Sequence, residues 1–231
     1  MNVKDIYSLF QKTKGVVTDT RLSVENSFFV ALKGKNFDGN NFAEEAIKKG
    51  ASYALVNIEI KSKTNNKFIY VNDTLKTLQK LANYHRKIIK TKIIAITGSN
   101  GKTTIKELLN EILSKEFKTF ATEGNLNNHI GVPLSLLNIK KECSYAVIEL
   151  GANHIGEIKE LCEIAELDFG LITNFGYAHL EGFGSFQGVI KGKSELYDYI
   201  TGKKGRLFIN VDDPIQEKWL NYNPISTYGK T

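Results

Sequence analysis

Lys92-Ile-Ile-Ala-Ile-Thr97 followed by Gly98-Ser-Asn-Gly-Lys-Thr-Thr104 is the stretch on which the fold of this 231-residue chain turns. An apolar run, a glycine turn and a helix start form the arrangement that builds a phosphate cradle. Glycines let backbone N–H groups turn toward an anion, and a helix N-terminus adds partial positive charge. In such a cradle Lys102 reaches the outer phosphates and the Thr103 hydroxyl binds Mg²⁺. The usual pattern asks for a glycine five places before Gly101, where Ile96 stands. The bland alternative is a strand-to-helix turn with a solvated lysine. The combination of Gly98, Gly101, Lys102 and Thr103 at one junction favours phosphate.

From residue 92 onward strand-like and helix-like segments alternate. Strands are expected at 92–97, 117–121, 145–150, 168–173 and 206–210, and helices at 102–115, 130–138, 156–165 and 187–201. Such alternation implies an α/β fold with a mostly parallel sheet flanked by helices. Ligands then gather beyond the carboxyl ends of the strands, where Lys102, Glu149, Asn174 and His179 fall. Before this lies a smaller α/β unit. Its strands are expected at Val16–Thr18, Ser27–Leu32, Tyr53–Asn57 and Phe68–Val71, with a helix at Phe42–Lys49. Lys61–Lys67 reads as a polar loop. Asp73 suits the N-cap of a long amphipathic helix with Leu75, Leu78, Leu81, Ala82, His85 and Ile88–Ile89 near one stripe. That helix is expected to join two domains, with His85 packed or half-exposed rather than a ligand.

Apolar residues make up 42% of the chain and charged residues 24%, as in ordinary globular proteins. No apolar run approaches the roughly 18 residues of a membrane span, and the first 15 residues lack the core of a secretory signal. Cys143 and Cys162 fit no metal or redox spacing and read as reduced, packed thiols. A cytoplasmic monomer without membrane insertion is the expectation. The net charge of +6 comes from scattered lysines, without an aromatic-and-basic signature for nucleic acid. Attraction of small polyanionic substrates explains the sign equally well.

Four further segments can carry chemistry. Glu149 closes the apolar run Tyr145–Ile148; a carboxylate so placed needs a partner, Mg²⁺ or an internal salt bridge. Residues 172–184 form a glycine-punctuated loop in which His179 is a ligand or, by itself, more simply a structural residue. Asn127 and Asn128, ahead of a helix that can accommodate Pro133 in its first turn, either cap that helix or contact a polar ligand. Spacing alone would not single out Lys193.

Taken in order, these segments resemble the Mur ligases of bacterial cell-wall synthesis, nearest the MurF branch. ITGSNGKTTIKELL (96–109) is similar to that family's shortened phosphate loop, which accounts for Ile96. GNLNNHIGVPLSLL (124–137), AVIELGANHIGEI (146–158), ITNFGYAHLEGFGS (172–185) and KGKSELYDYI (191–200) follow in family order. Asp19-Thr20-Arg21 and FFVALKGKNFDGNNF (28–42) are similar to its UDP-sugar-binding domain, motifs that the MurE branch shares.

The resemblance implies an ATP-dependent, Mg²⁺-requiring ligase. Its expected reaction joins D-alanyl-D-alanine to a UDP-N-acetylmuramoyl-tripeptide through an acyl phosphate, as part of peptidoglycan synthesis. It implies that Gly98, Ser99, Asn100, Gly101, Lys102, Thr103 and Thr104 hold the nucleotide phosphates, with Asn210 and Asp213 near the nucleotide. Lys102, Lys193 and His179 become the catalytic residues, and Thr103, Glu149, His179 and Lys193 the metal-contacting set. Lys193 matches a lysine that forms a carbamate with CO₂ in this superfamily. Asn127 and Asn128 match the muramoyl-peptide contacts, and Thr20, Lys35 and Asn36 the UDP end. The expected organisation is a UDP-substrate domain over 1–88 and an incomplete central ATP domain over 89–231. A third domain is expected to be absent and turnover of this piece alone lacking. The alternatives are a MurE-type or folylpolyglutamate-type ligase with another amino acceptor, and a non-catalytic nucleotide-binding module.

Overall fold

A run such as Ile93–Ile96, apolar at every position, can be satisfied only by burial on both faces of a sheet, and the chain is arranged accordingly. The computed structural model describes residues 1–60 and 65–230. Most of the expected Lys61–Lys67 loop therefore lies outside the described residues, and Asn65–Lys67 is a 3₁₀ turn. Two compact units divide at Ile88/Ile89.

The first unit begins with helix α1 (Val3–Phe10), capped by the Asn2 side chain. Strands β1 (Val16–Val17), β2 (Phe28–Val30), β5 (Tyr53–Val56) and β6 (Phe68–Tyr70) form a parallel sheet in that order. The expected strand over 27–32 stops at Val30 because the chain turns into a short hairpin, β3 (Lys33–Gly34) and β4 (Phe37–Asp38). Gly39 follows where a Cβ would sit 2.7 Å from the Leu32 carbonyl oxygen, so no side chain fits. Helix α2 (Ala43–Lys48) closes the core with Ala43, Ala46 and Ile47 against Phe29, Ala54 and Phe68. Helix α3 (Thr74–Ile88) starts where Asp73 Oδ1 accepts from Lys76 N at 2.8 Å. Its stripe is buried through Leu78, Leu81, Ala82 and His85, with Ile88 exposed. His85 is packed, its Nδ1 2.9 Å from the Tyr7 hydroxyl.

In the second unit β7 (Lys92–Thr97), β8 (Thr119–Ala121), β9 (Tyr145–Glu149), β10 (Phe169–Ile172), β11 (Arg206–Asn210) and β12 (Ile225–Tyr228) form one parallel sheet. Its order is β12-β11-β10-β7-β9-β8. Helix α4 (Lys102–Leu113) lays Ile105, Leu109 and Leu113 on Ile96, Val147 and Leu171. Helices α5 (Gly131–Asn138), α6 (Glu157–Ala165) and α8 (Phe186–Gly202) pack against one another and the sheet. Gly170 leaves room on this side for Leu196 and Ile200. The chain thus leaves β7 toward α4 and β10 toward α8. The crevice between those departures, at the carboxyl ends, is the place for a ligand.

Beneath it lies a buried polar knot. The fully buried Tyr197 hydroxyl accepts from Ile172 N at 3.1 Å and donates to the Phe208 carbonyl at 2.6 Å. The buried Gln216 amide donates to Ile172 O and accepts from Asn210 N. Tyr197→Phe strands the Ile172 N–H, so the expected loss is about 2 kcal/mol of unfolding free energy. Urea denaturation checks it, and an unchanged midpoint would contradict it.

Candidate functional site

The phosphate loop begins at Gly98, whose φ of 148° and packed surroundings exclude a side chain, and ends at Gly101 with φ 76°. Gly101 occupies the N-cap of α4, and no side chain caps that end. The free N–H groups of the first turn therefore face the crevice, ready for an anion. Lys102 folds back across the loop, its Nζ donating to the Gly98 carbonyl at 3.0 Å.

The loop is clasped by the segment after β10. Ser99 N donates to Asn174 O at 3.1 Å, Asn100 N to Asn174 Oδ1 at 3.1 Å, and Thr173 Oγ1 to Asn100 O at 2.6 Å. Ser99 Oγ donates to Gly176 O and accepts from Gly176 N, each at 2.9 Å. Thr104 and Asn100 are exposed. Asn174 was legible as a strand-end polar residue; Thr173 was missed, because nothing in its spacing marks it.

Glu149 is the hinge of the site. It is 2% exposed. Its Oε2 accepts from Thr103 Oγ1 and its Oε1 from Asn127 Nδ2, both at 2.9 Å. The pairing is thus hydroxyl and amide, not the salt bridge that sequence left open. A carboxylate beside a phosphate-loop hydroxyl is the sparse oxygen set that Mg²⁺ takes, completing its shell with phosphates and water. The donor chemistry fits that ion. Among the described residues no three His, Cys, Asp or Glu side chains form a cation site; the fit rests on Glu149 beside the Thr103 hydroxyl. Asn128 Oδ1 accepts from Ile130 N and Gly131 N at the start of α5.

A cavity of about 450 Å³ opens beside this group, lined by Lys102, Asn127, Asn128, Gly151, Asn153 and His179. His179 stands at φ 52° at the head of the short helix α7 (Leu180–Phe183). Its half-exposed ring has Nδ1 3.8 Å from Glu181 Oε1. Phe183 is buried against α8 where Gly188 and Gly192 leave space; a Cβ at Gly192 would lie 2.5 Å from the Phe183 ring. Lys193 is 2% exposed, with Nζ 5.6 Å from the centre of that ring. Burial, and then the charge of Lys102, pull its pKa down to about 8. An amine so depressed is readily available in neutral, nucleophilic form.

Asn210 and Asp213 do not line this cavity. Asn210 Oδ1 accepts from Asp212 N, and Asp213 Oδ1 caps the 3₁₀ turn Pro214–Trp219 through Ile215 N. In the first unit a separate cavity of about 420 Å³ is lined by Thr18, Asp19, Thr20, Arg21, Phe37 and Phe42. The two phenyl rings are stacked with centroids 5.3 Å apart. Arg21 Nη2 lies 2.6 Å from Asp19 Oδ2 and, as a hydrogen-bond donor, lowers the Asp19 pKa to about 2. Lys35 and Asn36, at the exposed hairpin tip, are not part of its lining.

The Mur ligase middle domain matches residues 96–231, and the Mur ligase family catalytic domain matches residues 12–86. The UDP-N-acetylmuramoyl-tripeptide–D-alanyl-D-alanine ligase of Escherichia coli (strain K12) is 41% identical over 210 residues, 91% of this chain and 45% of the relative. A crystal structure of MurF from Acinetobacter baumannii superposes with a TM-score of 0.85 at 35% identity, covering 99% of this chain and 52% of that one. The Thermotoga maritima MurF ligase, solved in complex with ADP, superposes with a TM-score of 0.83 at 34% identity over 94% of this chain and 51% of its own. The chain spans about half the length of the curated relatives it matches.

Proposed function

The chain belongs to the Mur ligase family, and from that premise we propose that it serves MurF-type chemistry. ATP activates the terminal carboxylate of a UDP-N-acetylmuramoyl-tripeptide, and the amine of D-alanyl-D-alanine displaces phosphate from the acyl phosphate. The observation that carries this reading is the Thr103–Glu149–Asn127 chain of hydrogen bonds. It joins the phosphate loop to the loop that lines the neighbouring cavity, so nucleotide and acyl ends share one carboxylate.

Each residue has a task in this chemistry. The backbone of 98–103 cradles the phosphates, and Lys102 leaves the Gly98 carbonyl to follow the transferred phosphoryl group. Thr103 and Glu149 would hold a Mg²⁺ ion beside the nucleotide, which when bound would neutralise phosphate charge. Asn127, Asn128 and His179 orient the muramoyl peptide in the cavity. Lys193, as the amine or as its carbamate, sets the buried charge that Lys102 faces. In the first unit the stacked Phe37 and Phe42 with Arg21 suit a nucleoside diphosphate, with Thr20 beside them; Lys35 and Asn36 approach from the hairpin tip. Asn210 and Asp213 act from beside the nucleotide.

Calorimetry with ADP and Mg²⁺ tests the nucleotide half. Lys102→Met is expected to weaken ADP by about 2 kcal/mol, or roughly 30-fold, the value of a charged hydrogen bond. Equal affinities would remove Lys102 from the phosphate site. For the acyl half, UDP-muramoyl-tripeptide is expected to bind more tightly than the dipeptide-linked compound. The reverse order would favour a MurE-type acceptor.

A further inference from the structure

Lys106 is a buried cation lying outside the phosphate loop and the cavity lining. It sits one turn into α4, fully enclosed, with Nζ donating to the Thr122 carbonyl at 2.5 Å and lying 2.8 Å from Glu107 Oε1. Glu107 is 63% exposed, so it bridges the cation to water at the rim. The inward contact is the one to Thr122.

Thr122 is where β8 leaves the sheet. Pairing of β8 with β9 ends at Ala121 and Val147. Beyond it Thr122 N donates to Val147 O at 3.0 Å, and Thr122 Oγ1 accepts from Glu149 N at 3.0 Å. The loop that follows carries Asn127 and Asn128. A three-residue edge strand has little hold of its own, so the direction in which this loop departs depends on what grips Thr122.

We propose that Lys106 is a positioning residue: its ammonium ties the phosphate-loop helix to the strand end bearing the asparagine loop. It thereby sets the distance between the nucleotide and acyl ends of the site. The inference rests on the reading of Glu149 and Asn127 given above. A lysine is needed because only a long stem with a charged tip crosses from α4 to a backbone carbonyl while keeping its interior methylenes packed. Its removal leaves that carbonyl buried and unmatched.

The test uses Lys106→Met in the 231-residue chain, with Glu107→Gln as the control. Hydrogen exchange is expected to quicken about tenfold at amides 122–130 and stay unchanged in β7 and the body of α4. The Mg²⁺ concentration needed to strengthen ADP binding is expected to rise about tenfold, a typical effect of disturbing groups behind a metal ligand. ADP binding without Mg²⁺ stays as in the parent, and Glu107→Gln matches the parent throughout. Unchanged exchange at 122–130 would overturn the proposal. So would faster exchange across the whole unit, which marks a merely structural residue. If Lys106→Met does not fold, Lys106→Gln, which keeps a shorter donor, is read in the same way. If the parent binds no ADP, the nucleotide reading fails, while the exchange measurement still decides whether Lys106 holds the loop.

Discussion

Lys193→Met is expected to stabilise the metal-free protein by about 3 kcal/mol at pH 7, measured by urea unfolding in EDTA and CO₂-free buffer. The reason is the depression of the Lys193 pKa from 10.5 to about 8, caused first by burial and then by Lys102. Each unit of such a shift corresponds to about 1.4 kcal/mol. The cation is disfavoured in the folded state, and at pH 7 it is present in both states, so the full cost applies. As pH rises through about 8 the folded protein releases this proton first. The unfolded chain then holds more protons, and stability climbs until about 10.5. Methionine keeps the bulk and has nothing to release. The stability difference between the two proteins should therefore shrink across that window. A variant no more stable than its parent at pH 7, with a constant difference up to pH 10.5, would remove the burial cost. A side chain held at such expense to the fold is what a functional group looks like.

Gly98→Ala is expected to lower the unfolding free energy by about 3 kcal/mol and to abolish measurable ADP binding. Its Cβ would lie 1.9 Å from Thr173 Oγ1 and 3.1 Å from Thr173 N, on a backbone with φ 148°. Overpacking and a disallowed dihedral each cost about 1–3 kcal/mol. Thr173 cannot retreat without breaking its bond to Asn100, so the whole clasp on the loop opens. Gly124→Ala is the comparison: φ 53° with nothing within 4 Å, a strain cost of about 1 kcal/mol alone. Equal thermal shifts and equal ADP affinities for the two variants would show that Thr173 does not hold the loop.

The second unit was legible because its elements declare themselves locally. Apolar runs such as Ile93–Ile96 and Ala146–Ile148 admit no other placement, and their bounds fall within two residues of expectation. What escaped was set by tertiary context. Ile225–Tyr228 is partly exposed and becomes a strand only by pairing with β11. The two-residue strands flanking Lys35 and Asn36 are too short for periodicity to register. Helix α7 is a single turn fixed by Phe183 packing on α8. That Lys102, Thr103 and Glu149 would lie together just beyond the strand ends was readable from their positions. The duties of Thr122, Thr173 and Lys106 were not, because a threonine or lysine has the same spelling whether it faces water or a buried carbonyl. For Asn127 and Asn128 sequence left capping and ligand contact at even odds. In the fold Asn128 Oδ1 accepts from Ile130 N and Gly131 N, Asn127 Nδ2 donates to Glu149, and both residues line the same cavity.

The central strand β7 pairs on one side with β9 and on the other with β10, some fifty and seventy-five residues later in the chain. Its own glycine turn is fastened by Thr173, Asn174 and Gly176. During synthesis, then, the nucleotide loop is made early but finished late. The bonds that fasten Gly98–Lys102 come from residues 173–176, more than seventy positions further along the chain. The shape of the loop thus depends on β10 having taken its place beside β7.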